Sequence, residues 1–420
     1  MTSLPEKTAF DVAWCRGQFP ALARRVRGQP AVYFDGPGGS QVPERVIDAI
    51  GDYLARMNAN HGGLFETSRE SDALLEEAHE GLADFLGTGD PQTVVFGANM
   101  TSLTFALSRS LAKTWGPGDE VVLTRLEHDA NVTPWVLAAK DAGATVRHVE
   151  IRGEDCTLDL DDLAAKLSPR TRLVAVGCAS NAVGTINPLA PIVRLAREAG
   201  ALVFFDAVHY APHGLLEVDR WGCDFLVCSA YKFFGPHVGV MWGRRELLAG
   251  LPAYKVRPAP DGIPGRWMTG TQNHEGIAGT LAAVEYLADL GRKLAPEAAG
   301  RRDALEAAYR GIVAYEHDLV AELLAGLAEL PDVKVWGITD PARLDQRVPT
   351  VAVTHGRLAS SELAEYLASR GIFVWHGNFY ALPLTEALGL EPEGLARIGL
   401  LHYNTSDEVE RLLAALRELE

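Results

Sequence analysis

TRLVAVGCAS (171–180), PLAPIVRLAREAG (188–200), ALVFFDAV (201–208) and DFLVCSAY (224–231) follow in this order in mid-chain and specify one kind of sheet. The first, third and fourth are short, almost unbroken apolar runs, the pattern of strands buried on both faces. The second is helical: Leu189, Ile192, Val193 and Ala196 fall on one side at i, i+3, i+4 and i+7. Gly200 stands where a left-handed cap closes a helix. Strand, helix, strand at this spacing requires parallel pairing with a helical crossover. Working outward, TVVFGA (93–98), EVVLTRLE (120–127) and GVMWG (239–243) read as further strands of the same sheet.

After about residue 290 the character changes. RRDALEAAYRGIVAYEHDLVAELLAGLAEL (301–330) is one long amphipathic helical pattern. VKVWGI (333–338), RVPTVAVTH (347–355) and GIFVWHG (371–377) read as strands of a smaller unit. Thr405 and Glu408 stand at capping-box spacing before a final helix whose buried stripe is Val409, Leu412, Leu413 and Leu416. The expected organisation is an N-terminal arm (1–30), a large α/β domain (31–295) and a small α+β C-terminal domain (296–420) with its linking helix.

Of 420 residues, 47% are hydrophobic and 22% charged, ordinary values that exclude disordered and collagen-like chains. A net charge of −16 provides no basic field for nucleic acid or anionic lipid. The five cysteines, at 15, 156, 178, 223 and 228, form no CxxC pair, which fits a reducing compartment. MTSLPEKTAFDVAWCRGQFPALARR lacks the apolar core of a secretory signal, and no run approaches the roughly 18 apolar residues of a membrane span. A cytoplasmic protein, with neither membrane nor nucleic acid as partner, is the expectation.

In such an α/β chain a nucleotide enzyme is the first rival, yet there is no GxGxxG and no GxxxxGK[ST], and GPGGS (36–40) is too short for either. No GxSxG elbow appears. His209 and His213 have the i, i+4 spacing of a zinc helix, but Pro212 between them spoils the helix, so no metal is expected.

Asp206 ends a buried apolar run, at the strand end where open α/β sheets bind ligands. A carboxylate there needs a cation or hydrogen-bond donors to offset its desolvation. Lys232, in CSAYKFFGPH (228–237), ends the next strand between aromatics; burial favours the neutral amine that a Schiff base requires. A cofactor pyridine nitrogen wants such a carboxylate and its aldehyde wants such a lysine.

With YFDGPGG (33–39), LEHDANVTPW (126–135), SNAVGTINP (180–188), TGTQNHEG (269–276) and RIGLLHYNT (397–405) in the same order, the chain resembles the class V aminotransferases. These are pyridoxal-phosphate enzymes of fold type I, and the likeness is closest to the cysteine desulfurase and selenocysteine lyase branch. The resemblance implies a mainly parallel sheet of the seven-stranded type covered by helices, with pyridoxal 5′-phosphate as cofactor. Lys232 would hold the cofactor covalently, Asp206 would pair with the ring nitrogen, and His209 would donate to the ring hydroxyl. His128 would stack on the ring, Asn181 would sit near the ring oxygen and substrate, and Tyr231 would line the cofactor pocket. Ser229, Met100 and Thr101 would take the phosphate, with Thr271 reaching it from the second subunit of a homodimer. Arg397 would grip the substrate carboxylate.

The chain departs from that branch where it matters for sulfur. The desulfurase loop, of the form GIxVRTGHHCAxPL, reads GIFVWHGNFYALPL here (371–384), with Tyr380 in place of the cysteine. Trp375 and His376 replace Arg-Thr, and Asn378 and Phe379 replace His-His. Tyr231 replaces the histidine before the lysine, and NANHGGLFETS (58–68) lacks a His-Arg pair. A tyrosine hydroxyl cannot carry a persulfide. The leading expectation is a desulfurase-like C–S or C–Se lyase without a persulfide cysteine, with Tyr380 or His376 as acid and Trp375 and Asn378 on the substrate side. Alternatives are an aminotransferase or epimerase for a larger substrate, with Trp375, Phe379 and Tyr380 as an aromatic pocket, or a cofactor-binding regulator.

Overall fold

The computed structural model describes residues 10–419; residues 1–9 of the expected arm lie outside the described residues. Seven strands form the large sheet: β1 (Val94–Gly97), β2 (Glu120–Thr124), β3 (Thr145–Val149), β4 (Thr171–Gly177), β5 (Leu202–Asp206), β6 (Phe225–Ser229) and β7 (Gly239–Gly243), in the order β1-β7-β6-β5-β4-β2-β3. All neighbours pair in parallel except β7, which is antiparallel to both β6 and β1. The reason is the connection: residues 230–238 between β6 and β7 are too few for a parallel crossover, so the chain turns back. Lys232 sits on that turn. Strand residues alternate between two apolar cores, Val176, Val203 and Phe205 on one face, Ala175, Phe204 and Val227 on the other.

Helix α1 (Met100–Ala112) follows β1, and α2 (Leu189–Glu198) links β4 to β5 with Gly200 at φ +76° beyond its end, as its sequence requires. Strand β3 escaped the sequence reading because TVRHV alternates exposed and covered positions at the sheet edge. A continuous apolar run marks only strands covered on both faces.

Helices α3 (His274–Leu294) and α4 (Arg301–Leu327) pack closely and carry the chain to a second sheet. This sheet comprises β8 (Val333–Trp336), β9 (Thr350–His355), β10 (Trp375–Gly377) and β11 (Leu395–Gly399), antiparallel in the order β8-β9-β11-β10. The last helix, α5 (Ser406–Arg417), has the capping box from Thr405 and Glu408 and buries the stripe read from its spacing. Val32 and Phe34 pack into the core of this smaller sheet, whereas Ala31 and Tyr33 pack into that of the large one. Among the described residues no helix is long and apolar enough to cross a membrane.

The α3–α4 contact makes a sharp stability test. A Cβ at Gly291 would lie 1.7 Å from the Ala304 carbonyl oxygen. In an ordinary helix interior Gly→Ala gains about 0.5–1 kcal/mol, but overlap with rigid backbone costs about 1–3 kcal/mol. Gly291→Ala is therefore expected to lower the denaturation midpoint; a raised midpoint would mean these helices are not so closely packed.

Candidate active site

Because β2, β4, β5 and β6 run in parallel, the residues after their carboxyl ends converge on one edge of the sheet. There they meet β10, β11 and the loop between them. A cavity of about 980 Å³ opens at this junction. Lys232, Asp206, His209, His128, Asn181, Ser229, Met100, Thr101, Tyr231, Arg397, Trp375, His376, Asn378 and Tyr380 all line it. Thr271 does not; it lies exposed in the loop before α3.

Asp206 is buried, and its Oδ1 accepts the Val208 N–H at 2.9 Å. Burial pushes its carboxyl up to about 6, against the pull of that N–H and of Lys232. The Lys232 ammonium donates to the Pro37 carbonyl and lies 4.8 Å from the Tyr231 ring centre. Burial first and Arg397 second bring its pKa down to about 7, with Asp206 opposing. A lysine half neutral at neutral pH is the nucleophile that carbonyl condensation needs. His209 is buried, held well below its usual pKa by desolvation, and shares a hydrogen bond with Thr350 Oγ1 at 2.9 Å. The neighbouring His213 bonds Glu316 at 2.8 Å, so these two histidines look to separate partners. Among the described residues no group of three or more His, Cys, Asp or Glu is placed to hold a metal.

His128 opens the short turn after β2, its Nδ1 accepting the Ala130 N–H at 3.0 Å; burial lowers its pKa to about 4. The Tyr380 ring stacks against it, centroids 5.4 Å apart and planes 27° apart, while Tyr380 itself is 71% exposed at the cavity rim. Arg397, on β11, donates to the Asn181 carbonyl at 2.7 Å, and desolvation lowers its pKa to about 9.

At the other end, α1 points its start into the cavity. Asn99 caps it by accepting the Ser102 N–H at 2.9 Å, and Ser229 Oγ accepts the Met100 N–H at 3.0 Å. Among the described residues the Thr101 N–H has no such partner. A Cβ on Gly239 would lie 2.4 Å from the Asn99 backbone, so only glycine lets β7 come this close beneath the helix start. This is a fitting cradle for a phosphate dianion. With the lysine and carboxylate at neighbouring strand ends, the residues present fit pyridoxal phosphate at both ends.

Sequence reasoning missed Glu127, Asn99, Pro37 and His237, which also line the cavity. Glu127 is fully buried, bonded by Thr124 Oγ1 at 2.6 Å and Asn131 Nδ2 at 2.7 Å, and burial pushes its pKa up to about 7. Its signal, a carboxylate just past an apolar strand, was the same one that singled out Asp206. All five cysteines are buried and unpaired, and none lines the cavity. Burial pushes the Cys156 thiol up to about 11 and those of Cys15 and Cys223 up to about 12.

The mainly parallel sheet with its lysine, carboxylate and helix start defines an α/β enzyme of fold type I dependent on pyridoxal phosphate. Residues 32–412 match the family model described as aminotransferase class-V. A cysteine desulfurase of Pectobacterium atrosepticum is 31% identical, and one of Klebsiella pneumoniae 33%, each alignment covering 98% of both chains. Among solved structures, an apo cysteine desulfurase from Thermococcus onnurineus gives a TM-score of 0.82 at 28% identity over 93% of this chain and 94% of the other. A cysteine desulfurase from Escherichia coli, in an S-sulfonic acid form, gives 0.83 at 27% over 98% of each. The chain belongs to the aminotransferase class-V family. It is desulfurase-like over its whole length, and as an enzyme family this leaves no place for the regulator alternative.

Proposed function

We propose that this protein is a C–S or C–Se lyase of the cysteine desulfurase kind that works on a cysteine-type amino acid without a persulfide cysteine. The observation that carries the reading is the meeting of Lys232, Asp206, His128 and Arg397 in one cavity with Tyr380 at its rim and every cysteine outside it. Bound pyridoxal phosphate supplies the electron sink that stabilises negative charge at the substrate Cα.

On this reading Arg397 holds the substrate carboxylate and Asn181, Trp375 and Asn378 wall the substrate side. Asp206 keeps the ring nitrogen protonated, and His209, turned by Thr350, donates to the ring hydroxyl. His128 covers one ring face and Tyr231 stands beside Lys232. Met100, Thr101 and Ser229 take the phosphate. Lys232, whose buried setting favours the neutral amine, removes the Cα proton. Tyr380 or His376 gives a proton to the departing sulfur or selenium. Thr271, exposed and away from its own cavity, reaches the cofactor of a second subunit in a homodimer. Residues 31–295 form the cofactor domain and 296–420 the small domain, working in the cytoplasm, where five unpaired thiols are at home.

The test is the product from L-cysteine and from L-selenocysteine with cofactor-loaded protein. Pyruvate and ammonia released with sulfide or selenide is the expected outcome. Alanine with a persulfide on one of the five cysteines would overturn the cysteine-free reading. A free oxo acid accompanied by amination of the cofactor would replace it with the aminotransferase reading, which the aromatic rim of Trp375, Phe379 and Tyr380 favours for a larger substrate.

A further inference from the structure

The loop that replaces the desulfurase cysteine does something specific to Arg397. The Arg397 guanidinium sits over the Phe379 ring, its central carbon 4.0 Å from the ring centre. The Phe379 carbonyl accepts the Asn181 side-chain N–H at 2.9 Å, and the Asn181 carbonyl accepts the Arg397 Nη1–H at 2.7 Å. Three residues from three segments thus close a ring: the loop after β4, the loop after β10, and β11. Phe379 and Tyr380 adopt φ of +56° and +58°, a region that L residues rarely occupy and that surroundings must hold. Those surroundings include the Tyr380 carbonyl, which accepts the Asp129 N–H at 2.7 Å, and Asn378 Oδ1, which accepts the Tyr380 N–H at 3.1 Å.

With the Phe379 ring against the guanidinium and Nη1 committed to Asn181, Arg397 keeps a buried Nε–H that no group among the described residues accepts. An apolar ring offers no acceptor to compete for it, and it stabilises the cation that burial disfavours. We propose that Phe379 is a positioning residue, whose ring holds Arg397 so that its unpaired N–H edge remains for the carboxylate of an amino-acid substrate. This rests on the carboxylate role given to Arg397 above.

The experiment uses holoenzyme and two probes that differ only at the carboxylate, glycine and glycinamide, with binding read from the cofactor's visible absorbance. It therefore does not depend on which reaction the enzyme completes. Phe379→Leu keeps apolar bulk and removes the π face; Phe379→Met serves the same purpose should the leucine variant not fold. Either is expected to weaken glycine about tenfold and leave glycinamide unchanged, and Phe379→Tyr should restore glycine to within about twofold of the parent. Arg397→Gln runs alongside. If Arg397→Gln abolishes the preference for glycine but Phe379→Leu keeps it, Phe379 positions nothing. Should Phe379→Leu weaken both probes equally, its role is general packing and the proposal fails. If Arg397→Gln itself keeps the preference, the carboxylate assignment falls and takes the proposal with it.

Discussion

Lys232→Ala is expected to bind pyridoxal phosphate without a covalent link and to lose at least about a thousandfold in turnover, since both the nucleophilic and the proton-transfer roles go with the amine. The parent protein, reduced with borohydride and denatured, should retain the pyridoxyl mass on the peptide carrying Lys232; the variant should retain none. Folding should survive the change. The side chain reaches into the cavity, and Pro37, whose carbonyl it leaves, lines the same cavity. The loss also has an electrostatic signature. Lys232 is the cation that lowers the Asp206 pKa, so its removal raises that carboxyl above its value of about 6. A variant with the parent spectrum and a retained covalent label would refute the assignment of Lys232.

Arg397→Ala carries the second largest effect, and it acts in two places. A buried arginine holding a carboxylate through charge-assisted hydrogen bonds contributes about 2–5 kcal/mol, so amino-acid affinity should fall between about thirtyfold and a few thousandfold while the cofactor stays bound. The other effect falls on Lys232. After burial, Arg397 is the main reason that amine titrates near 7. Removing a nearby positive charge favours the protonated amine, so its pKa rises and less of it is neutral at pH 7. In cofactor-free parent protein the rate of loading should rise about tenfold between pH 6 and pH 8, following a neutral fraction with its midpoint near 7. In Arg397→Ala that midpoint should move upward. Unaltered affinity would remove Arg397 from the substrate site, and an unmoved midpoint would remove its influence on Lys232.

Asp206 and Lys232 were legible in the sequence because each ends an apolar run, and a charged group beside a buried strand stands out wherever the chain is read. The strands that gave six members of the large sheet were legible for the same reason. The seventh, β3, was not, since a half-exposed edge strand carries no such run. Glu127 bore the same signal as Asp206, at the end of EVVLTRLE, but nothing in one dimension says that its carboxyl turns inward to Thr124 and Asn131.

Strand periodicity, helix spacing and the placing of catalytic-type residues at strand ends are local properties, set by the alternation of side chains and the need to bury them, and these the sequence determined by itself. The closed ring of Asn181, Phe379 and Arg397 is of another kind. Its members lie 216 and 198 positions apart across two of its three edges, and meet only because the large sheet's strand ends face the small sheet. Stacking and hydrogen bonding act over a few ångströms of space, irrespective of distance along the chain. Tertiary structure alone therefore decided which ring lies against Arg397 and which N–H is left unpaired.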